Sequence, residues 1–134
     1  MGQDTSDREF LKEKGAAAHV IQGGLAGLVE NWEKVVSLVQ QGYPYGLDDY
    51  LNDLDGRQLL EETLAIIPEE ERQKTHKRLQ RADELMRTLV KPAGKCLWGD
   101  PVARSEGWTM EKNWWYFSRP IQAAPEVLSE IEGL

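Results

Sequence analysis

Apolar residues recur at helical spacing in two long stripes. Ile21, Leu25, Leu28, Trp32, Val35 and Val39 advance by alternating steps of four and three, which sets all six on one side of a helix. Gly42 stands where a left-handed cap would close that helix and Pro44 follows, so a helix is predicted over 25–41. Thr75, Leu79, Ala82, Met86 and Leu89 repeat the same steps. Pro68 suits a first helical turn, and Glu69, Glu70 and Glu71 complement the positive end of the helix dipole. Arg87 and Lys91 lie near the negative end and Pro92 stops the run, which predicts a helix over 68–90.

Between the stripes, Leu47, Tyr50, Leu51 and Leu54 predict a short helix at 47–54. Asp55-Gly56 reads as a break, with Asp55 capping a further helix at 56–66 and Gln58 completing a capping box. Residues 15–24 mix alanines, which favour helix, with glycines, which oppose it. Asp7–Lys14 offers a short helix whose apolar face is only Phe10 and Leu11, so residues 1–14 are expected to be frayed or mobile. Beyond Lys91, Gly94, Gly99, Pro101 and Gly107 mark loops. Trp114–Ser118 is predicted extended, and Pro125 opens a last short helix through Ile131.

The expected fold class is mostly α: a small bundle of about four to five helices with an irregular aromatic C-terminal segment. The two stripes should face each other. One domain spanning 1–134 accounts for the length, with 92–134 packing on the bundle as a tail.

Composition narrows the setting. The chain is 40% hydrophobic and 29% charged, enough for one core and too apolar for a disordered chain. A lone cysteine, Cys96, makes no internal disulfide, and a reducing, cytoplasmic compartment is expected. No apolar run approaches membrane-spanning length. The polar, acidic residues 1–7 are unlike a secretory signal. Gly2 and Ser6 match the bare myristoylation pattern without a polybasic partner, and the match is taken as chance.

The net charge of -7 is unevenly laid out. Residues 43–71 carry nine acids and a single base, Arg57, whereas 72–95 carry eight bases and only two acids, Asp83 and Glu84. An acidic surface disfavours nucleic acid and anionic membranes and attracts a basic partner. The basic run Arg72–Arg81 lacks aromatic interleaving, and its simplest role is to neutralise 43–71 from within the bundle.

Catalytic and metal motifs are thin. With Gly56 at position 6 of a calcium loop, Asp53, Asp55 and Glu62 fall at positions 3, 5 and 12, but position 1 is Leu51, which cannot ligate. A helix break capped by Asp55 is preferred. Asp48, Asp49 and Asp53 with Glu30 or Glu33 could serve a magnesium-dependent hydrolase of a phosphorylated small molecule. Glu30-Asn31-Trp32-Glu33 supplies one acidic pair, and no E-x-x-D follows downstream. Cys96, His19 and His76 show no nucleophile or zinc signature, and no phosphate loop or nucleophile elbow is present. No cofactor is implied.

The leading expectation is a non-catalytic, acidic protein-binding module, of the charge logic seen in immunity- or antitoxin-type inhibitors of basic partners. Its expected contact residues are Tyr43, Tyr45, Asp48, Asp49, Tyr50, Asp53, Trp114 and Trp115. The metal-dependent hydrolase is one alternative, and a small-molecule pocket lined by the C-terminal tryptophans is another. The apolar stripes are also compatible with a homo-oligomer.

Overall fold

The computed structural model describes residues 6–134. The Gly2–Ser6 pattern therefore begins outside the described residues. In chain order the elements are α1 (Ser6–Glu13), α2 (Ala18–Gln40), α3 (Leu47–Ile66), α4 (Glu69–Leu89), β1 (Val90–Pro92), α5 (Asp100–Glu106), a 3-10 turn (Trp114–Phe117), β2 (Ser118–Pro120) and α6 (Pro125–Glu132). The architecture is mostly α, a helical bundle with an aromatic C-terminal segment. No described helix is long and apolar enough to cross a membrane.

Helix α2 packs against α4 on one side and α3 on the other. The two stripes do face each other: Leu25, Leu28, Trp32, Val35 and Val39 of α2 are buried, as are Thr75, Ala82 and Met86 of α4. Burial of this apolar face, at about 25 cal/mol per Å², is what holds helices of middling propensity in place.

Helix α2 is two helices in line. Gly24 sits at φ 59°, ψ -156°, outside the helical region. Helix α1 caps both sides of this break. Leu25 N–H donates to Asp7 Oδ2 at 2.8 Å, and Arg8 donates to the Gln22 carbonyl through Nη2 at 3.1 Å. Leu11 is fully buried. The short helix expected at Asp7–Lys14 is present as α1, its thin apolar face supplemented by these polar caps.

Helix α3 runs unbroken through Asp55-Gly56, so the predicted break and capping box are corrected. Gly56 keeps a negative φ, and a Cβ there would stand 3.4 Å from Asn31 Nδ2 of α2. The glycine is a place of close helix approach instead of a stop. Asp55 caps nothing; its carboxylate reaches into the C-terminal segment.

That segment is more regular than expected. β1 and β2 pair antiparallel in the register Val90↔Pro120, Lys91↔Arg119 and Pro92↔Ser118. Trp114–Phe117 forms a 3-10 turn where extended chain was predicted, and Trp114, Trp115 and Tyr116 are all buried. Curling lets three consecutive aromatic rings enter the core, whereas a strand would alternate them between two faces. Helix α5 has no counterpart among the predicted elements. Helix α6 lies where Pro125 predicts it and buries Val127 and Ile131.

The charge layout resolves unexpectedly. Arg57, the one base of 43–71, is buried and pairs with Asp83 of α4 at 2.8 Å and with Glu61 at 2.9 Å. Arg78 of α4 turns to Glu33 of α2, and Lys74 to Glu71 three residues away. The idea that basic α4 neutralises the acidic stretch from within holds, among the described residues, only for the local Lys74–Glu71 pair and not across to α3. The ion pair that joins α3 to α4 runs the other way, base from the acidic stretch and acid from the basic one.

Candidate functional site

The six acids of α3 differ in how far they are engaged. Asp55, Glu61 and Glu62 are engaged within the molecule. Asp55 Oδ1 accepts from Trp98 Nε1 at 2.9 Å and from the Tyr116 hydroxyl at 2.6 Å. Glu61 holds Arg57, and Glu62 holds Lys14 at 3.0 Å. Asp48 and Asp49 instead stand exposed in the first turn of α3, and no hydrogen bond or ion pair engages their carboxylates among the described residues. Exposed Tyr45 lies beside them, edge-on to Tyr43 with ring centroids 5.8 Å apart. Glu130 of α6 adds another carboxylate at this end, 3.4 Å from the Leu47 N–H.

One turn further along α3, Asp53 is half-buried. Its Oδ2 accepts from the Tyr43 hydroxyl, and its Oδ1 is not engaged among the described residues. Burial pushes its pKa above the usual carboxylate value; the Tyr43 hydrogen bond opposes this and the Asp49 charge reinforces it. A carboxyl held up in this way prefers its protonated form in the folded state. Its charge therefore costs stability as pH rises through that raised pKa.

Asp53 opens onto a cleft of about 520 Å³ between α2 and α3. His19, Glu30, Asn31 and Lys34 line it from α2, and Asn52, Asp53 and Asp55 from α3. Three glycines, Gly23, Gly27 and Gly56, floor it. A Cβ at Gly23 or Gly27 would meet nothing within 4 Å, and neither has a positive φ. Packing does not require glycine at these two helical positions, where each costs roughly 0.5–1 kcal/mol relative to alanine. What they do is widen the cleft.

No family model, curated protein or solved structure matches this chain. The reading of the site rests on its geometry.

That geometry places several expected contact residues in the core. Tyr43 and Tyr50 are fully buried, packed edge-on at 5.0 Å. Both phenols have pKa values raised first by burial. Trp114 and Trp115 are also core residues, with the guanidinium of Arg87 over the first at 4.2 Å and that of Arg57 over the second at 4.3 Å. Large amphipathic rings adjoining loops satisfy a core as well as an interface, and here the core takes them. Tyr45, Asp48, Asp49 and Asp53 remain at the surface or the cleft rim.

The magnesium arrangement is not formed. Among the described residues no three His, Cys, Asp or Glu side chains converge into a group able to hold a metal ion. Glu33 is bound to Arg78, and Asp55 accepts from Trp98 and Tyr116. Cys96 is buried, and burial raises its thiol pKa, which disfavours the reactive thiolate. His19, Asn31 and Asn52, which line the cleft, were not among the expected contact residues. The glycines on either side of the Gly24 break, Gly23 and Gly27, are the sequence feature that could have pointed to them.

Proposed function

We propose that the protein is a non-catalytic binding module of the cytoplasm that engages a basic protein partner. The acidic face of α3 and the α2–α3 cleft form the contact surface. Asp48 and Asp49 steer the partner, Tyr45 supplies an exposed aromatic contact, and Asp53 at the cleft rim receives a cationic side chain.

One observation carries this reading. Asp53 lines a cleft that carries Gly23, Gly27 and Gly56, Asp49 stands one helical turn before it on the same face with Asp48 adjacent, and each of the three has at least one carboxylate oxygen not engaged within the described residues. Keeping Asp53 half-buried and two open glycines in α2 lowers stability, and such costs collect at sites selected for contact. Small acidic inhibitors of basic toxins use the same charge logic.

The test uses a short lysine-rich peptide without arginine as a defined probe, followed by amide chemical shifts. Shifts confined to 45–56 and to the cleft-facing side of α2 are expected at low ionic strength. They should vanish for Asp48→Asn/Asp49→Asn and shrink as salt is raised past physiological strength, where the Debye length falls below about 8 Å. Shifts scattered over the basic face of α4, or none at all, would rule the surface out.

A further inference from the structure

Three of the five tryptophans already carry a guanidinium over the ring: Arg57 lies 4.3 Å from the Trp115 centroid and 6.0 Å from Trp32, and Arg87 lies 4.2 Å from Trp114. The remaining two, Trp98 and Trp108, have no such partner among the described residues. These two line one surface hollow of about 360 Å³.

The hollow repeats the chemistry that holds Arg57. In the interior, Arg57 sits against the rings of Trp115 and Trp32 and pairs with the carboxylates of Asp83 and Glu61. In the hollow, Trp98, Trp108 and Tyr116 provide rings, and Asp55, Glu62 and Glu106 provide carboxylates against a single cation, Lys14. Lys14 is spent on Glu62 at 3.0 Å. Glu106 is exposed and unengaged among the described residues.

The rings are fixed before anything arrives. The Trp98 N–H is tied to Asp55 at 2.9 Å, yet the residue is 42% exposed. Trp108 stacks on Tyr116 with centroids 3.9 Å apart and planes 15° from parallel, which leaves one indole face unstacked. An anchored, uncovered indole beside a carboxylate attracts a cation through its ring quadrupole, and a planar guanidinium can stack on the ring while donating to the acid.

We propose that the Trp98–Trp108 hollow is an arginine-binding pocket, filled by an arginine side chain of the basic partner. The proposal rests on the binding role argued above and names the residue that the partner inserts at this second point. Asp55 lines both the hollow and the α2–α3 cleft, so the two contacts adjoin.

The experiment titrates N-acetyl-arginine-N-methylamide into the full chain and follows the indole N–H resonances of the tryptophans. The expected result is a saturable shift of Trp98 and Trp108 with a Kd on the order of 1–10 mM, while Trp32, Trp114 and Trp115 stay still. The lysine analogue should bind several-fold more weakly and the citrulline analogue not at all. Glu106→Gln, at an exposed position remote from the core, should weaken binding roughly 3- to 10-fold. Trp98→Leu should abolish it, and if that variant loses its helical circular dichroism, Glu106→Gln alone decides. No shift up to 50 mM, or equal shifts with citrulline, overturns the pocket. If the lysine-rich peptide still moves 45–56 in that case, the binding surface stands and only the arginine pocket falls; if arginine moves Trp98 and Trp108 while the peptide moves nothing, the reverse holds.

Discussion

Arg57 shows how much a single residue can decide. It is the lone base in the acidic stretch, it is 4% exposed, and its guanidinium pairs with two carboxylates, stacks on the Trp115 indole and lies 6.0 Å from the Trp32 ring. Asp83 in turn accepts from Arg57 and from Trp32 Nε1 at 2.8 Å, tying α2, α3 and α4 at one carboxylate. Arg57→Met keeps most of the side-chain volume but strands that charge. Removing one partner of a buried pair costs about 3–5 kcal/mol, and a lower urea midpoint measures it. Adding Asp83→Asn, which keeps an acceptor for Trp32, should recover part of the loss. A double variant no more stable than Arg57→Met would mean the cost is packing and not the unpaired charge. Both residues were conspicuous in the sequence as exceptions to their surroundings. Their pairing across 26 positions was not, because charge order along a chain says nothing of which helix faces which.

At the scale of the elements, the glycines of α2 serve opposite ends. Gly24 makes the break: its φ of 59° is unfavourable for a side chain, and a Cβ would come within 2.6 Å of Asp7 Oδ2, the acceptor that caps Leu25. Gly24→Ala should therefore destabilise by more than about 1 kcal/mol. Gly27 lies in regular helix with open space around it, so Gly27→Ala should stabilise by roughly 0.5–1 kcal/mol. The same substitution narrows the cleft and should weaken the lysine-rich peptide. Thermal midpoints and the peptide titration check both signs, and a Gly27→Ala protein that is more stable and binds equally well would remove the cleft from the contact surface. The stripes of α2 and α4 were legible because their period is long and unbroken. The residues before Gly24 stayed ambiguous and α3 was misread for one reason: Gly24 and Gly56 look alike in sequence, but one breaks its helix and the other lets a neighbour approach. Only tertiary packing separates these roles.

The molecule as a whole is closed by its C-terminal segment, and Asp55 is where that segment is fastened to α3. The Tyr116 hydroxyl and the Trp98 N–H converge on one carboxylate oxygen, and Asn113 Nδ2 adds a bond to Gln58 one turn further on at 2.9 Å. The abundance of aromatic residues announced that the tail would pack somewhere. Which rings would enter was not readable, because Trp98 and Trp108 on one side and Trp114 and Trp115 on the other differ in neighbours, not in kind. Asp55→Ala removes the acceptor from both donors. The exposed Trp98 can turn to water, but Tyr116 is 1% exposed and its hydroxyl is left stranded. The cost should be about 2–3 kcal/mol, concentrated at that hydroxyl. Hydrogen exchange locates the effect: the amides of Ala93 and Leu97, bonded to the Phe117 and Tyr116 carbonyls, should lose protection well before those of α2 and α4. If every amide weakens together, the segment unfolds only with the bundle and Asp55 is part of the core instead of a fastening. If the tail amides alone open, the arginine pocket should be lost with them while the contact at Asp48 and Asp49 survives, since the first draws its rings from the tail and the second stands on α3 alone.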